Sequence, residues 1–211
     1  VFQNISLPIA ANQIDSVFLT HAHIDHSGML PKLYKDGFKG KIYATDVTCD
    51  LCDIMLRDSA HIQETEAKWR SRKAERAGLE TYAPVYDMQD AVGAISLFRR
   101  CNYGEIIYPA EGIELRFTDI GHLLGSACIE LWLTEGTVHK KIVFSGDVGN
   151  TNQRIIRDPQ QVAETDYLVI ESTYGNRLHS ADRSNVIFEL AGYIQKALDR
   201  GGNVVIPSFA V

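Results

Sequence analysis

Four side chains within six positions carry the strongest chemical signal in the sequence: His21, His23, Asp25 and His26, in the run His-Ala-His-Ile-Asp-His. Imidazole and carboxylate ligands together suit Zn²⁺, and also Mn²⁺ or Fe. Residues two apart in an extended segment point the same way, so His21 and His23 can grip one cation. Where the chain turns toward a helix, Asp25 and His26 project elsewhere, toward a second cation nearby. Two later positions are expected to join them. His122 lies between Gly121 and Leu123 at a strand end, ahead of Gly125-Ser126-Ala127, and the flanking glycines let the backbone turn sharply and place an imidazole into a crowded centre. Asp147, in Ser145-Gly146-Asp147-Val148-Gly149, also follows a strand. One carboxylate can bridge two metals about 3.5–4 Å apart, the spacing that polarises a shared hydroxide. Each of these two is weak alone and gains its weight from the 21–26 cluster.

Positioning such a site requires strands that end in loops at one edge. Residues 16–20 form an apolar run of strand length that feeds straight into the histidines. A short helix is expected over 29–35, a strand over 41–44, and a helix capped by Thr45 or Asp46 that runs with interruption to about residue 77. Residues 63–76 of that helix are dense in Glu, Lys and Arg and read as a solvated face or a lid-like excursion rather than a phosphate-binding patch. Another helix, over about 88–100, follows the cap Asp87. Strands are then expected over 106–108, 113–118, 127–133 and 141–144. The continuous apolar run 167–170 reads as a strand buried on both faces. A helix over about 184–198 and a strand over 203–206 close the chain. Interleaved strands and helices make two sheets covered by helices the natural α/β architecture.

Composition bounds the rest. The 211 residues are 45% hydrophobic and 23% charged, which suits a globular core and excludes a disordered chain. No apolar run approaches the roughly 20 residues needed to span a bilayer, so no membrane partner is expected, and no signal peptide is visible in Val1-Phe2-Gln3-Asn4. A net charge of −6 argues against holding nucleic acid by a general basic surface. It does not exclude a nuclease whose positive charge is a metal centre. Cys49, Cys52, Cys101 and Cys128 are too scattered for a disulfide framework. Cys49-x-x-Cys52 reads as two half-buried helical thiols, and a reducing, cytoplasmic compartment follows. His61 is divided between a structural place and a supporting one beside the centre, and His139 reads as an exposed strand residue. His179 reads as a solvated loop residue that could contact phosphate with Arg177. Trp69 and Trp132 read as packing residues outside any aromatic-basic alternation.

The 21–26 cluster, the Gly121-His122-Leu123-Leu124-Gly125-Ser126-Ala127 run and the Ser145-to-Gly149 run resemble the metal motifs of the metallo-β-lactamase superfamily. Glu171-Ser172-Thr173-Tyr174-Gly175 and the final Gly202-to-Val211 run resemble its RNA-processing β-CASP branch, which includes the cleavage-and-polyadenylation endonuclease subunit, its bacterial and archaeal relatives, and ribonuclease J. Asp58-Ser59-Ala60-His61-Ile62-Gln63 is similar to the cleavage-factor-like bacterial members.

The resemblance implies an αββα sandwich, present in part over 1–175 without its first strands, and the beginning of an inserted β-CASP α/β domain over 176–211. It implies two Zn²⁺ (or Mn²⁺ or Fe), with His21, His23 and His122 on the first, Asp25 and His26 on the second, and Asp147 bridging. A hydroxide between them would attack phosphorus in line, with Asp25 and Glu171 as the acidic catalytic residues. Glu171 would orient a distant general-acid histidine. That histidine and a further metal ligand have no counterpart here, so the sequence reads as truncated, able to bind metal but weak or inactive alone. The implied partner is RNA, single-stranded, and a homodimer is among the assemblies such a chain could form. Two alternatives stand beside it: a dimetal hydrolase of a small ester, thioester or lactam, and a non-catalytic subunit of an RNA-processing complex.

Overall fold

The computed structural model describes Leu7, residues 9–178 and residues 185–208. His179 and the last three residues lie outside that set. The chain divides into two compact units, Val1–Glu171 and Ser172–Val211.

In the larger unit, β1 (Ser16–Phe18), β2 (Lys41–Thr45) and β3 (Phe98–Cys101) form a parallel sheet in that order. Parallel neighbours require crossovers. These are supplied by α1 (Ile24–Ser27) with α2 (Leu30–Lys35), and by α3 (Asp46–Arg76) with α4 (Met88–Ser96). Leu30, Leu33, Cys52, Leu56, Ala91 and Ala94 from the helices pack with Ile42 and Ala44 of β2 in one buried cluster. A second sheet runs β4 (Ile107–Ala110), β5 (Ile113–Asp119), β6 (Ala127–Glu135), β7 (Val138–Phe144) and β8 (Tyr167–Val169). It is antiparallel up to β7, and β8 joins β7 in parallel. The inward residues Leu115, Phe117, Ile129 and Leu131 meet Phe18, Tyr43 and Cys101 of the first sheet. The larger unit is therefore layered helix, sheet, sheet.

Several expectations are corrected. α3 is one uninterrupted helix of 31 residues. Residues 98–101 form β3 rather than the end of a helix, because tertiary pairing with β2 outweighs the local preference. Residues 167–170 are not buried on both faces: Tyr167, Leu168, Val169 and Ile170 are 53–61% exposed. Among the described residues β8 is the edge strand, with β7 on one side only. Residues 203–206 are not in a strand. In the smaller unit, α5 (Val186–Asp199) has Asn185 before its first turn and no buried residue.

The cysteines are more buried than expected. Cys49 and Cys52 are 4% and 0% exposed, and burial pushes both thiols up to about 12. Such thiols are poor nucleophiles and poor ligands.

Candidate metal centre

β1 ends at Phe18, and the buried Leu19 leads into Thr20 and His21. His21 is 1% exposed, and its Nδ1 lies 3.1 Å from the Thr20 hydroxyl. Its Nε2 points to His23 Nδ1 at 3.2 Å. His23 stands at the N-cap of α1, where the chain turns, so Asp25 and His26 project from a helical turn as the sequence implied. Buried Ser27 ties that turn down by donating to Ala22 O and His23 O at 2.8 and 3.1 Å.

The second sheet supplies the other two groups. The loop between β5 and β6 carries His122, whose Nε2 is 3.2 Å from His23 Nδ1. Ser126 organises this loop: its hydroxyl accepts from His122 N–H at 3.1 Å and Leu123 N–H at 3.0 Å. The hydroxyls of Thr45 and Thr48, at the start of α3, donate to Gly125 O at 2.6 and 2.9 Å. Sequence reading found Thr45 as a helix cap but missed this second use, and missed Ser126. The paired hydroxyls of Thr45-x-x-Thr48 were the only available signal.

Asp147 follows β7 and reaches both sets of imidazoles. Its Oδ2 is 3.7 Å from His21 Nε2 and 3.4 Å from His122 Nε2. Its Oδ1 is 3.3 Å from His26 Nε2. Asp25, 75% exposed, lies 3.6 Å from the same His26 nitrogen. Gly149 makes this approach feasible, since a Cβ there would collide with the Gly121 backbone. Its N–H donates to Ile120 O at 3.0 Å, locking the His122 and Asp147 loops together.

Glu171 lies just past β8 and accepts from Val148 N–H at 2.5 Å, while its own N–H donates to Ser145 Oγ at 3.1 Å. Both bonds hold the segment that carries Asp147. His61 is exposed on α3, and His139 is exposed on β7 within 3.0 Å of Thr134 Oγ1. Trp132 lies under Arg116 and Lys141, each 5.0 Å from its ring, but Trp69 is 62% exposed rather than packed.

Electrostatics suit a cation. Burial foremost, then repulsion from His26, His122 and His23, pushes the His21 pKa down to about 3. Burial also lowers that of His122, against the pull of Asp147. Neutral imidazoles offer lone pairs. Donor atoms of His21, His23, His122 and Asp147 lie within 4.8 Å of one another, a group that could hold a metal ion.

Fold and site together define a two-sheet α/β protein with a His/Asp group that could hold a metal ion, carried on loops at the strand ends. The chain belongs to the metallo-beta-lactamase superfamily, whose family model matches residues 5–185. It is 34% identical over 199 residues to Ribonuclease TTHA0252 of Thermus thermophilus, covering 94% of this chain and 41% of that protein. To an RNase J-like protein of Methanocaldococcus jannaschii it is 33% identical, covering 94% and 41%. To transcription termination factor FttA of Methanothermobacter thermautotrophicus it is 32% identical, covering 95% and 29%. The chain thus spans less than half the length of these relatives. No helix among the described residues is long and apolar enough to cross a membrane.

Proposed function

We propose that this chain carries the metal centre of an RNA phosphodiesterase of the β-CASP branch. The observation that carries the reading is the divided carboxylate of Asp147, one oxygen toward His21 and His122 and the other toward His26. The names of the relatives, two ribonucleases and a termination factor, favour RNA over a small ester, thioester or lactam. The filled ligand positions favour an enzyme over a non-catalytic subunit.

His21, His23 and His122 would hold one cation, Asp25 and His26 a second, with Asp147 shared. Nitrogen and carboxylate donors of this kind favour zinc, with Mn²⁺ or Fe as alternatives. Bound cations would supply Lewis acidity and a water acidic enough to ionise near neutral pH. The residues do the rest. Asp25, at the open side, can accept a proton from an attacking water through the carboxylate oxygen not engaged with a cation. Glu171 holds Asp147 through Val148 N–H and keeps the loop from relaxing into solvent. Residues 176–211 would begin the inserted β-CASP domain, a reading that rests on their motif resemblance. Four free thiols fit a reducing cytoplasm.

The test is a parallel assay of the intact protein on labelled single-stranded RNA and on a thioester. RNA cleavage abolished by chelation and restored by Zn²⁺ or Mn²⁺ is expected. Intact RNA beside a hydrolysed thioester would overturn the assignment.

A further inference from the structure

The second half of α3 is built in two opposed faces. Ala60, Ala67 and Ala74, seven residues apart, are buried at 0–7% exposure. Ser71 fastens the 79–87 segment to this side, donating to Tyr82 O at 3.1 Å and accepting from Tyr82 N–H at 2.9 Å. Directly opposite stand Trp69, Arg72, Lys73 and Arg76, at the i, i+3, i+4, i+7 spacing that lines one helical face. All four are exposed.

The flanking cations are paired within the helix. Arg70 bonds Glu66 at 2.6 Å, and Lys68 approaches Glu64 at 3.9 Å. Arg72, Lys73 and Arg76 have no carboxylate partner among the described residues. Lys73 lies over the Trp69 ring at 5.7 Å, leaving the rest of a large aromatic surface open to solvent. Cations in a last turn complement the helix dipole, which accounts for Lys73 and Arg76. It accounts neither for Arg72 nor for an indole at 62% exposure. A chain of net charge −6 that gathers, around an exposed indole, three cations with no carboxylate partner among the described residues matches a polyanion carrying stackable rings.

We propose that Trp69, Arg72, Lys73 and Arg76 form a second RNA-binding face, remote from the metal centre, that takes single-stranded RNA by phosphate contacts and base stacking. This rests on the RNA reading above. The same helix begins at the site, where Thr48 holds Gly125 O. At 1.5 Å rise per residue Arg72 lies about 36 Å further along. A long RNA would reach both places and a dinucleotide only the first.

The intact protein would be titrated with a fluorescein-labelled, phosphorothioate RNA 20-mer, alongside Trp69→Ala and the combined Arg72→Gln, Lys73→Gln, Arg76→Gln variant. Each is expected to weaken binding about tenfold. The triple variant should also make the slope of log K against log salt shallower by about 2. KM should rise for long RNA and stay unchanged for a dinucleotide, and hydrolysis of bis(p-nitrophenyl) phosphate should remain at wild-type level. Unchanged affinity and salt slope in both variants would overturn the second face while leaving the nuclease reading intact. Wild-type protein that neither binds nor cleaves RNA would overturn both. Variant-sensitive binding to phosphatidylserine vesicles with RNA binding unaffected would replace RNA by a membrane surface.

Discussion

Asp147 Oδ1 stands 3.3 Å from His26 Nε2, on the opposite side of the carboxylate from the oxygen that faces His21 and His122. Two loops from different sheets thereby meet on one side chain. If that side chain serves two cations, Asp147→Asn removes a negative charge from both. Metal content is expected to fall by at least half, and phosphodiesterase turnover by at least about 100-fold, beyond the range seen when mere supporting groups are lost. Elemental analysis and steady-state kinetics on the same preparation check it.

Gly149 tests the junction of the two loops. A methyl group there has no space against Gly121 O and His122 N. Gly149→Ala must push the loops apart, at a cost of about 1–3 kcal/mol or more. A lower Tm together with weaker metal retention is expected, and a Tm shift without any change in metal affinity would show that the loops are not coupled to the centre.

Glu171 can be separated into acceptor and charge. Its carboxylate takes the Val148 N–H, a bond an amide oxygen can also accept. Glu171→Ala is expected to lower metal affinity by about 10–100-fold, with Glu171→Gln recovering most of it. Equal losses in both variants would mean that the negative charge itself is needed, as orientation of a distant histidine would require.

His21, His23, His122 and Asp147, which the structure brings into one group, and His26 and Asp25, which flank it, were legible because their types are rare and the spacing of the first four in sequence is local: His21 to His26 sit where a strand gives way to a helical turn. The Gly-rich runs around His122 and Asp147 signalled sharp turns, and those turns exist. What the sequence could not reveal was pairing. Residues 98–101 look helical in isolation and become β3 only beside β2. Residues 167–170 look like a central strand, yet β8 has one neighbour among the described residues. Thr48 showed only as a second hydroxyl three residues after Thr45, and Ser126 not at all, because a hydroxyl advertises nothing until the loop it holds is in place. Trp69 was misread as packing because hydrophobicity alone does not tell which face of a long helix meets the core.

A buried ionic cluster predicts acid behaviour. Glu130 is fully buried on β6, with Arg116 at 2.9 Å, Lys141 at 2.7 Å and the Thr118 hydroxyl at 2.6 Å. Burial alone would raise its pKa, but the hydrogen bonds from Arg116, Lys141 and Thr118 outweigh it and hold the carboxyl at about 2. A carboxyl depressed on folding contributes stability above its unfolded value and loses it as pH falls toward the folded one. Glu130→Gln should therefore destabilise at pH 7 by about 3 kcal/mol, since it leaves the buried Lys141 and the partly buried Arg116 without their carboxylate. The Tm difference from wild type should shrink between pH 4.5 and about 2. A pH-independent difference would refute the ionic origin.

The most direct measurement is the metal stoichiometry of the intact protein, by inductively coupled plasma mass spectrometry, for wild type and His23→Ala. Two divalent cations per wild-type chain, with marked loss in the variant, is the result expected from imidazoles and carboxylates brought this close. Fewer than one cation per chain, unaltered by His23→Ala, would contradict a dimetal centre at this site.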